Sequence, residues 1–191
     1  MEKKDYNYNM FDNPDERSWA DMEFLYHTDL FFATKEGFET FKREVCDEEG
    51  NVDFNKYIPC DPKNPSEVLD SWGSFEAHHC TIDEENIIIS FCSFLNVPSA
   101  FIETWSKNHP NLGLCALYAY DNNRVDEKCY VCIYKGGLID SSWYSQNFIS
   151  EEEYQKDIDA AWDRFFKEYW NTQIYTICYE TLKKFCPEIE L

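Results

Sequence analysis

The chain has 191 residues, 43% hydrophobic and 18% aromatic, with 37 acidic against 17 basic side chains and a formal net charge of −20. This length suits one domain with an added subdomain, and the aromatic content predicts a packed core rather than a disordered chain. The charge argues against direct binding to DNA or RNA, because the negative field repels phosphates. There is no apolar run long enough to span a membrane, and the first residues lack a signal-peptide core, so we expect a soluble protein.

The N-terminal part of the chain predicts an arm, a strand and a helix. Residues 1–23 are rich in Asn, Asp and Tyr, and we expect them to form an arm in front of a domain that spans residues 24–149. Residues 24–34 are enriched in aromatic side chains, which predicts a first strand. Thr34 is then expected to cap a helix that ends at Cys46.

The stretch VDFNKYIPCDP at residues 52–62 has no regular period. Val52 and Phe54 would fall on the same side of an extended segment, and Tyr57 would dock on the core a second time. The two prolines exclude a central strand. We therefore interpret this stretch as an extended packing anchor after the first helix, with Asn55 bonded to nearby backbone.

The chain from residue 63 to residue 149 predicts four further strands and two helices. Turn residues and prolines separate these elements, and a glycine is well placed to end the first of the helices. In chain order they are a short helix at 66–72 closed by Gly73, strands at 77–83 and 87–96, a helix that starts at Pro98 and ends at 108–110, and strands at 112–120 and 129–137.

A C-terminal helical extension is predicted over residues 150–191. Ser150 and Glu153 have the spacing of a capping box, and apolar residues then recur at helical spacing, either in one long helix or in two. The extension is expected to pack on the same domain, and its apolar stripe indicates either core or an interface. The order of elements favours an α+β fold of the ferredoxin-like type, with an antiparallel sheet and two helices on one face.

The sequence contains no catalytic motif, and we assign no catalytic, cofactor-binding or metal-binding residue. In the run His78-His79-Cys80, His78 and Cys80 would share one face of a strand, which supplies at most two ligands. Cys129 and Cys132 form the single CxxC pair and would face opposite sides of a strand. The nine cysteines are expected to be reduced. We therefore expect no cofactor and no enzymatic activity.

Three acidic clusters are the candidate partner-binding residues. Each is expected at a turn or at a helix start, where carboxylates are solvated. An acidic surface attracts a basic partner and can occupy a nucleic-acid-binding surface on it. The candidates are Asp47, Glu48, Glu49, Asp83, Glu84, Glu85, Glu151, Glu152 and Glu153.

The stretches VDFNKYIPCDP, WGSFEAHHCTID and IIISFCSFLNVPSAFIETWSKNHPNLGLCALYAYDN resemble the YubB-type ferredoxin-like domain family of phage and plasmid proteins. The resemblance covers roughly residues 24–140. The family has a Trp-Ser-Pro-Pro turn where this chain has residues 94–98, and a second Trp where it has Phe75. The matched positions are Asp53, Phe54, Asn55, Lys56, Ile58, Pro59, Trp72, Gly73, Phe91, Pro98, Ile102, Ser106, Pro110 and Leu112.

The resemblance implies a fold and a setting in mobile genetic elements, with no catalytic residues to carry over. Our first hypothesis is a non-enzymatic acidic inhibitor or nucleic-acid mimic that blocks a basic host defence protein, of the anti-CRISPR or anti-restriction type, in the cytoplasm of the bacterial host. The second is a small-molecule or nucleotide-binding domain that uses the open sheet face or the strand of His78. The third is a self-associating structural protein that dimerises through the C-terminal helix.

Overall fold

The computed structural model describes residues 25–121, 128–145, 156 and 173–189 of the chain, which form an α+β fold. The strands in this part are β1 (Leu25–Phe32), β2 (Ala77–Asp83), β3 (Ile88–Phe94), β4 (Leu114–Asp121), β5 (Lys128–Tyr134) and β6 (Leu138–Ser145). The helices are α1 (Lys35–Val45), α2 (Phe54–Tyr57), α3 (Pro65–Trp72), α4 (Ser99–Asn108) and α5 (Tyr175–Phe185). The strands form one open antiparallel sheet in the order β2-β3-β1-β4-β5-β6.

Local sequence signals explain the first strand and the first helix. The aromatic run of β1 pairs with β3 on one side and with β4 on the other, so it is a central strand. Thr34 caps α1 as predicted, because its Oγ1 accepts a hydrogen bond of 3.2 Å from the N–H of Gly37. Glu36 in the first turn and Lys42 in the last turn also suit the helix dipole.

The two faces of the sheet carry separate cores. On one face, Leu30 and Phe32 of β1 contact the buried sides of α1 and α4, which include Phe41 and Trp105. On the other face, Phe31 lies in a second core with α5. Successive residues of β1 alternate between these cores because the side chains of a strand point to opposite faces. The predicted placement of two helices on one face is confirmed, and α5 covers part of the other.

The stretch at residues 52–62 is a correction to the sequence prediction, because it contains a short helix and is not extended. Asp53 begins α2, and its carboxylate accepts hydrogen bonds from the N–H groups of Asn55 and Lys56. Val52 pairs with Cys46 in an isolated bridge before the helix begins. The anchoring role is confirmed, since Phe54 is 2% exposed. We missed the helix because four residues are too few to show a helical period.

Polar groups of the same stretch fasten it to its surroundings. The Lys56 ammonium donates hydrogen bonds to the carbonyls of Arg43 and Cys46, which lie at the C-terminal end of α1, where a cation is favourable. Asn55 Oδ1 accepts from the N–H of Cys60 at 2.9 Å, so the predicted bond to nearby backbone is present. These contacts hold the linker against α1.

The Trp-Gly pair at the end of α3 has an equally structural role. Trp72 Nε1 donates a hydrogen bond of 2.9 Å to the carbonyl of Ile58, which ties α3 to the linker. Gly73 caps the helix at φ +83, as the sequence predicted. A Cβ at Gly73 would lie 3.2 Å from the carbonyl oxygen of Val97, so this position also lets the chain before α4 approach closely.

Strand β6 is absent from the sequence prediction, which ended the sheet at residues 129–137. Gly136 and Gly137 have φ angles of +70 and +118 and turn the chain back, so β5 and β6 form a hairpin. The strand LIDSSWYS was not predicted, because adjacent Leu and Ile followed by Asp and two serines do not alternate. The hairpin extends the sheet beyond β4.

Some predicted features lie outside the described residues. They are the N-terminal arm at 1–23 and the first part of the C-terminal extension, at 150–155 and 157–172, with its capping box. Within the described residues, no helix combines the length and the apolar character that a membrane crossing requires.

Candidate functional site

Two of the three acidic clusters lie next to each other at the β2 edge of the sheet. The segment after α1 runs beside β2, because the N–H of Val52 donates a hydrogen bond of 3.2 Å to Cys80 Sγ. A Cβ at Gly50 would lie 3.4 Å from Ile82 Cδ1. The turn at 47–50 therefore lies against the half of β2 that leads into the turn at 83–86. We call the residues 47–49 and 83–85 the acidic edge.

The aspartates of the acidic edge shape the two turns. Asp47 accepts hydrogen bonds from the N–H and the side-chain amide of Asn51, and these bonds lower its pKa. Asp83 accepts from the N–H of Glu85 and from the N–H and amide of Asn86, and hydrogen bonds with Asn86 lower the pKa of Asp83. Both carboxylates are thus fixed in the charged form. They hold the turns in shape as well as contributing charge.

The glutamates of the acidic edge are the groups that project into solvent. Glu48, Glu49, Glu84 and Glu85 are all exposed. Glu84 forms an ion pair with Lys42 of α1, and this hydrogen bond raises the pKa of Lys42. The ion pair also links α1 to the 83–86 turn. The third cluster, Glu151, Glu152 and Glu153, lies outside the described residues.

The His78-His79-Cys80 run does not form a ligand pair. Strand β2 has a bulge between His78 and Thr81, and His79 has a φ of +52, so the simple alternation expected for a strand is broken. The His78 ring packs edge-on against Phe94 at 5.3 Å between ring centroids. Cys80 instead contacts the Val52 N–H, and burial raises the pKa of its thiol. The sequence could not show the bulge, which depends on pairing with β3.

The cysteines are free thiols and are mostly buried. Cys129 belongs to the core beneath α5 and Cys132 to the core beneath α1 and α4, which confirms that this CxxC pair faces opposite sides of β5. Burial raises the pKa of Cys132 to about 11. Within the described ranges, no group of three or more His, Cys, Asp or Glu side chains is arranged to hold a metal ion.

A polar cluster that was not predicted from the sequence lies on the α5 face of the sheet. His27 Nε2 lies 2.9 Å from Asp29 Oδ1, and Cys92 Sγ lies 3.8 Å from His27 Nδ1. Tyr175 of α5 donates a hydrogen bond of 3.3 Å to Asp29 Oδ2. We call these four residues the His27 cluster. The available signal was His-x-Asp in a predicted strand, a spacing that puts both side chains on one face.

The charges of the His27 cluster depend on the buried carboxylate. Asp29 is fully buried, whereas the His27 side chain is 25% exposed. Burial lowers the pKa of His27, but the Asp29 carboxylate and its hydrogen bond outweigh that effect and raise the pKa to about 10. Burial, followed by the Asp29 charge, also raises the pKa of Tyr175. At neutral pH the cluster therefore holds an imidazolium paired with a carboxylate, beside the Cys92 thiol.

Helix α5 bears on two of the hypotheses. It covers part of the sheet face that the ligand-binding hypothesis requires, and it belongs to the extension that the dimerisation hypothesis requires. Cys178 and Leu182 of α5 and the flanking residues Ile174 and Cys186 are fully buried. They pack in the core that includes Phe31 and lies on the sheet face opposite α1 and α4. This face is therefore not an open platform for a ligand where α5 lies. The apolar residues of α5 pack within their own chain. The rest of the predicted apolar stripe lies outside the described residues, so dimerisation through the C-terminal extension stays a prediction.

No family model, curated protein or solved structure matches the chain.

Proposed function

We propose that this protein is a non-enzymatic accessory protein of a phage or other mobile element, which uses its acidic edge to bind and block a basic host defence protein of the anti-CRISPR or anti-restriction type. The YubB-type resemblance and a ferredoxin-like assignment for β1 to β4 are part of this proposal. The strand order β2-β3-β1-β4, with antiparallel neighbours and with α1 and α4 as the crossovers, supports that assignment.

The roles of the matched motif residues fit a signature of the fold. Asp53 caps a helix, Phe54 fills the core, Lys56 bonds the end of α1, and Trp72 and Gly73 fix the end of α3. Each of these roles concerns packing or backbone geometry. The resemblance therefore supports an architecture, and the functional proposal depends on the surface.

The convergence of two acidic turns at one edge is the observation that carries the functional proposal. The chain between residues 47 and 85 has eleven acidic and two basic side chains, against a net charge of −20 for the whole protein. Charges of one sign that are clustered on a surface produce a field that speeds encounter with an oppositely charged partner. Nucleic-acid-binding proteins present such basic surfaces, because they must bind phosphates.

The arrangement of the acidic edge suits binding at physiological salt. Screening at about 0.15 M salt reduces the interaction of charges that are more than about 8 Å apart, so dispersed carboxylates would act singly. The hydrogen-bonded aspartates fix the two turns, and the exposed glutamates stand on those turns. The two turns are therefore already ordered before a partner binds, which lowers the entropic cost of binding.

Charge reversal with a matched control tests this proposal. The edge variant carries Glu49→Lys and Glu85→Lys, and the control variant carries Glu36→Lys and Glu103→Lys in α1 and α4. Both variants change the net charge by the same amount. A difference in binding between them therefore reports where the charge lies and not how large the total charge is. Tagged wild-type protein and the two variants are incubated with bacterial host extract at 0.15 M salt, and the bound proteins are quantified by mass spectrometry.

We expect wild type and the control variant to retain basic nucleic-acid-binding proteins and the edge variant to lose at least about tenfold of that recovery, the equivalent of about 1.4 kcal/mol. The recovered partner, once purified, should lose nucleic-acid binding or cleavage when wild-type protein is added. Equal recovery by the edge and control variants would contradict the role of the acidic edge. A partner whose nucleic-acid activity is unchanged would contradict inhibition.

A further inference from the structure

The His27 cluster is not used by the acidic edge, and its geometry supports a separate chemical property. Cys92 of β3 and His27 of β1 are direct cross-strand partners, and Cys92 Sγ lies 3.8 Å from His27 Nδ1. The other ring nitrogen of His27 lies 2.9 Å from Asp29 Oδ1. We propose that Cys92 is a nucleophilic thiol, activated by the imidazole of His27 that lies against its sulfur, and that it is a site of modification by small electrophiles, above all hydroperoxides.

Asp29 acts as the positioning residue for the imidazole. Its carboxylate is fully buried and accepts hydrogen bonds from His27 and from Tyr175 of α5, so both of its oxygens are engaged. A buried carboxylate favours the charged imidazolium and fixes the ring with Nδ1 toward Cys92. An imidazolium next to a thiol favours the thiolate, which is the reactive form.

The other groups around Cys92 define the electrostatic setting. His78 of β2 is its cross-strand partner on the other side, and Cys80 of β2 lies close enough for Cys92 to influence its titration. On β1 the charged neighbours are His27 and Asp29, and on α5 the titratable group is Tyr175, which is neutral at physiological pH because burial and Asp29 raise its pKa. Among these neighbours, His27 is therefore the group that carries a positive charge next to the Cys92 thiol.

Exposure distinguishes Cys92 from most of the other cysteines. Six thiols are buried, and Cys60, Cys80 and Cys92 are partly exposed. Burial and the acidic neighbours Glu67 and Asp61 raise the pKa of Cys60. Burial raises the pKa of Cys80 as well. Of these three partly exposed thiols, Cys92 is the one that contacts an imidazole within the described residues.

The reaction with a hydroperoxide balances with the groups present. The Cys92 thiolate attacks one peroxide oxygen, so that an S–O bond forms and the O–O bond breaks. The leaving hydroxide, or alkoxide, takes the proton from His27 and departs as water or alcohol. The thiol sulfur is oxidised to sulfenic acid, the peroxide is reduced, and the imidazole becomes neutral.

Alkylation of the intact protein by iodoacetamide provides the first test. At pH 6.5 the rate at each cysteine is measured by mass spectrometry of the digested protein, with Cys60 as the internal control. We expect Cys92 to react at least about tenfold faster than free cysteine in a parallel reaction, and faster than Cys60, because an ordinary thiol has very little thiolate at this pH. Equal rates at Cys92 and free cysteine would overturn the proposal.

Two variants show whether His27 and Asp29 cause that reactivity. His27→Gln and Asp29→Asn should each reduce alkylation of Cys92 at pH 6.5 by about tenfold, while the rate at Cys60 stays the same. An unchanged Cys92 rate in a folded His27→Gln variant refutes activation by His27. If either variant loses its circular dichroism signal, the wild-type pH profile decides: the Cys92 rate must reach half of its maximum about one pH unit or more below that of free cysteine.

Peroxide itself provides the direct measurement. Wild-type protein treated with one equivalent of hydrogen peroxide in the presence of dimedone should carry the sulfenic acid adduct at Cys92 ahead of the other cysteines. Adducts spread over Cys60 and Cys80 in equal yield would contradict the site. Because this assay uses no partner protein, its result is independent of whether the acidic edge binds a host protein.

Discussion

The substitution Phe54→Ala removes the side chain that joins the linker after α1 to the main core. Phe54 is 2% exposed, and its ring centroid lies 4.6 Å from that of Phe101, 5.7 Å from that of Trp72 and 5.8 Å from that of Phe91. A buried Phe→Ala change costs about 3–5 kcal/mol, and each well-placed aromatic pair adds about 0.5–1.5 kcal/mol beyond area burial. With three aromatic neighbours, we expect a loss near the upper end, about 4–5 kcal/mol.

Urea denaturation followed by circular dichroism measures this loss. Such a change is a large part of the roughly 5–15 kcal/mol by which a domain is stable, so the midpoint should fall strongly while the slope m stays constant. The control is Leu69→Ala in α3, since Leu69 is 38% exposed and should cost no more than about 1 kcal/mol. A loss under about 1 kcal/mol for Phe54→Ala would refute the anchoring role of the linker.

Three further predictions concern other contacts. Because the pKa of His27 is raised from 6.5 to about 10, the folded state keeps a proton at this site that the unfolded state loses, so His27 should contribute a fall in stability of up to about 1.4 kcal/mol per pH unit between pH 7.5 and 8.5. Buried thiols with a raised pKa add to the total slope, so the quantity to measure is the difference in slope between wild type and His27→Gln, and equal slopes would contradict the Asp29 pairing. Gly113→Ala should cost about 1–3 kcal/mol because its Cβ would overlap Cys186 Sγ, and adding Cys186→Ala should recover part of that loss in thermal melts. Trp72→Phe should cost about 1 kcal/mol through loss of the hydrogen bond to the main chain, and an unchanged urea midpoint would count against that bond.

The acidic edge shows the limit of charge counting in a sequence. The clusters at 47–49 and 83–85 were recognised from composition, and their positions at turns follow from local residue types. Their proximity depends on the Val52 to Cys80 contact, which joins residues 28 positions apart. A count of charges contains no information about such pairings.

The His27 cluster shows the same division in another form. His27 and Asp29 share a face of β1 by simple strand alternation, so that half of the cluster was available to sequence reasoning. Cys92 joins it only because β1 pairs with β3 in the register that sets His27 against Cys92. Tyr175 arrives from a helix 146 residues later in the chain. The pairing register of β1 with β3 and the docking of α5 are set by tertiary contacts, and short sequence motifs do not encode them.

The sequence by itself determined the elements whose signals are local: the capped helix after Thr34, the glycine stop at Gly73 and the strand of residues 77–83. Caps, turn glycines and apolar periods act within a few residues, so they can be recognised in a window of the chain. The bulge at His79, the addition of β6 and the face covered by α5 were decided by the tertiary structure. Each of these features depends on which strands pair and on which apolar face of the sheet remains to be covered. The free energy that decides between the alternatives comes from contacts between residues far apart in the sequence.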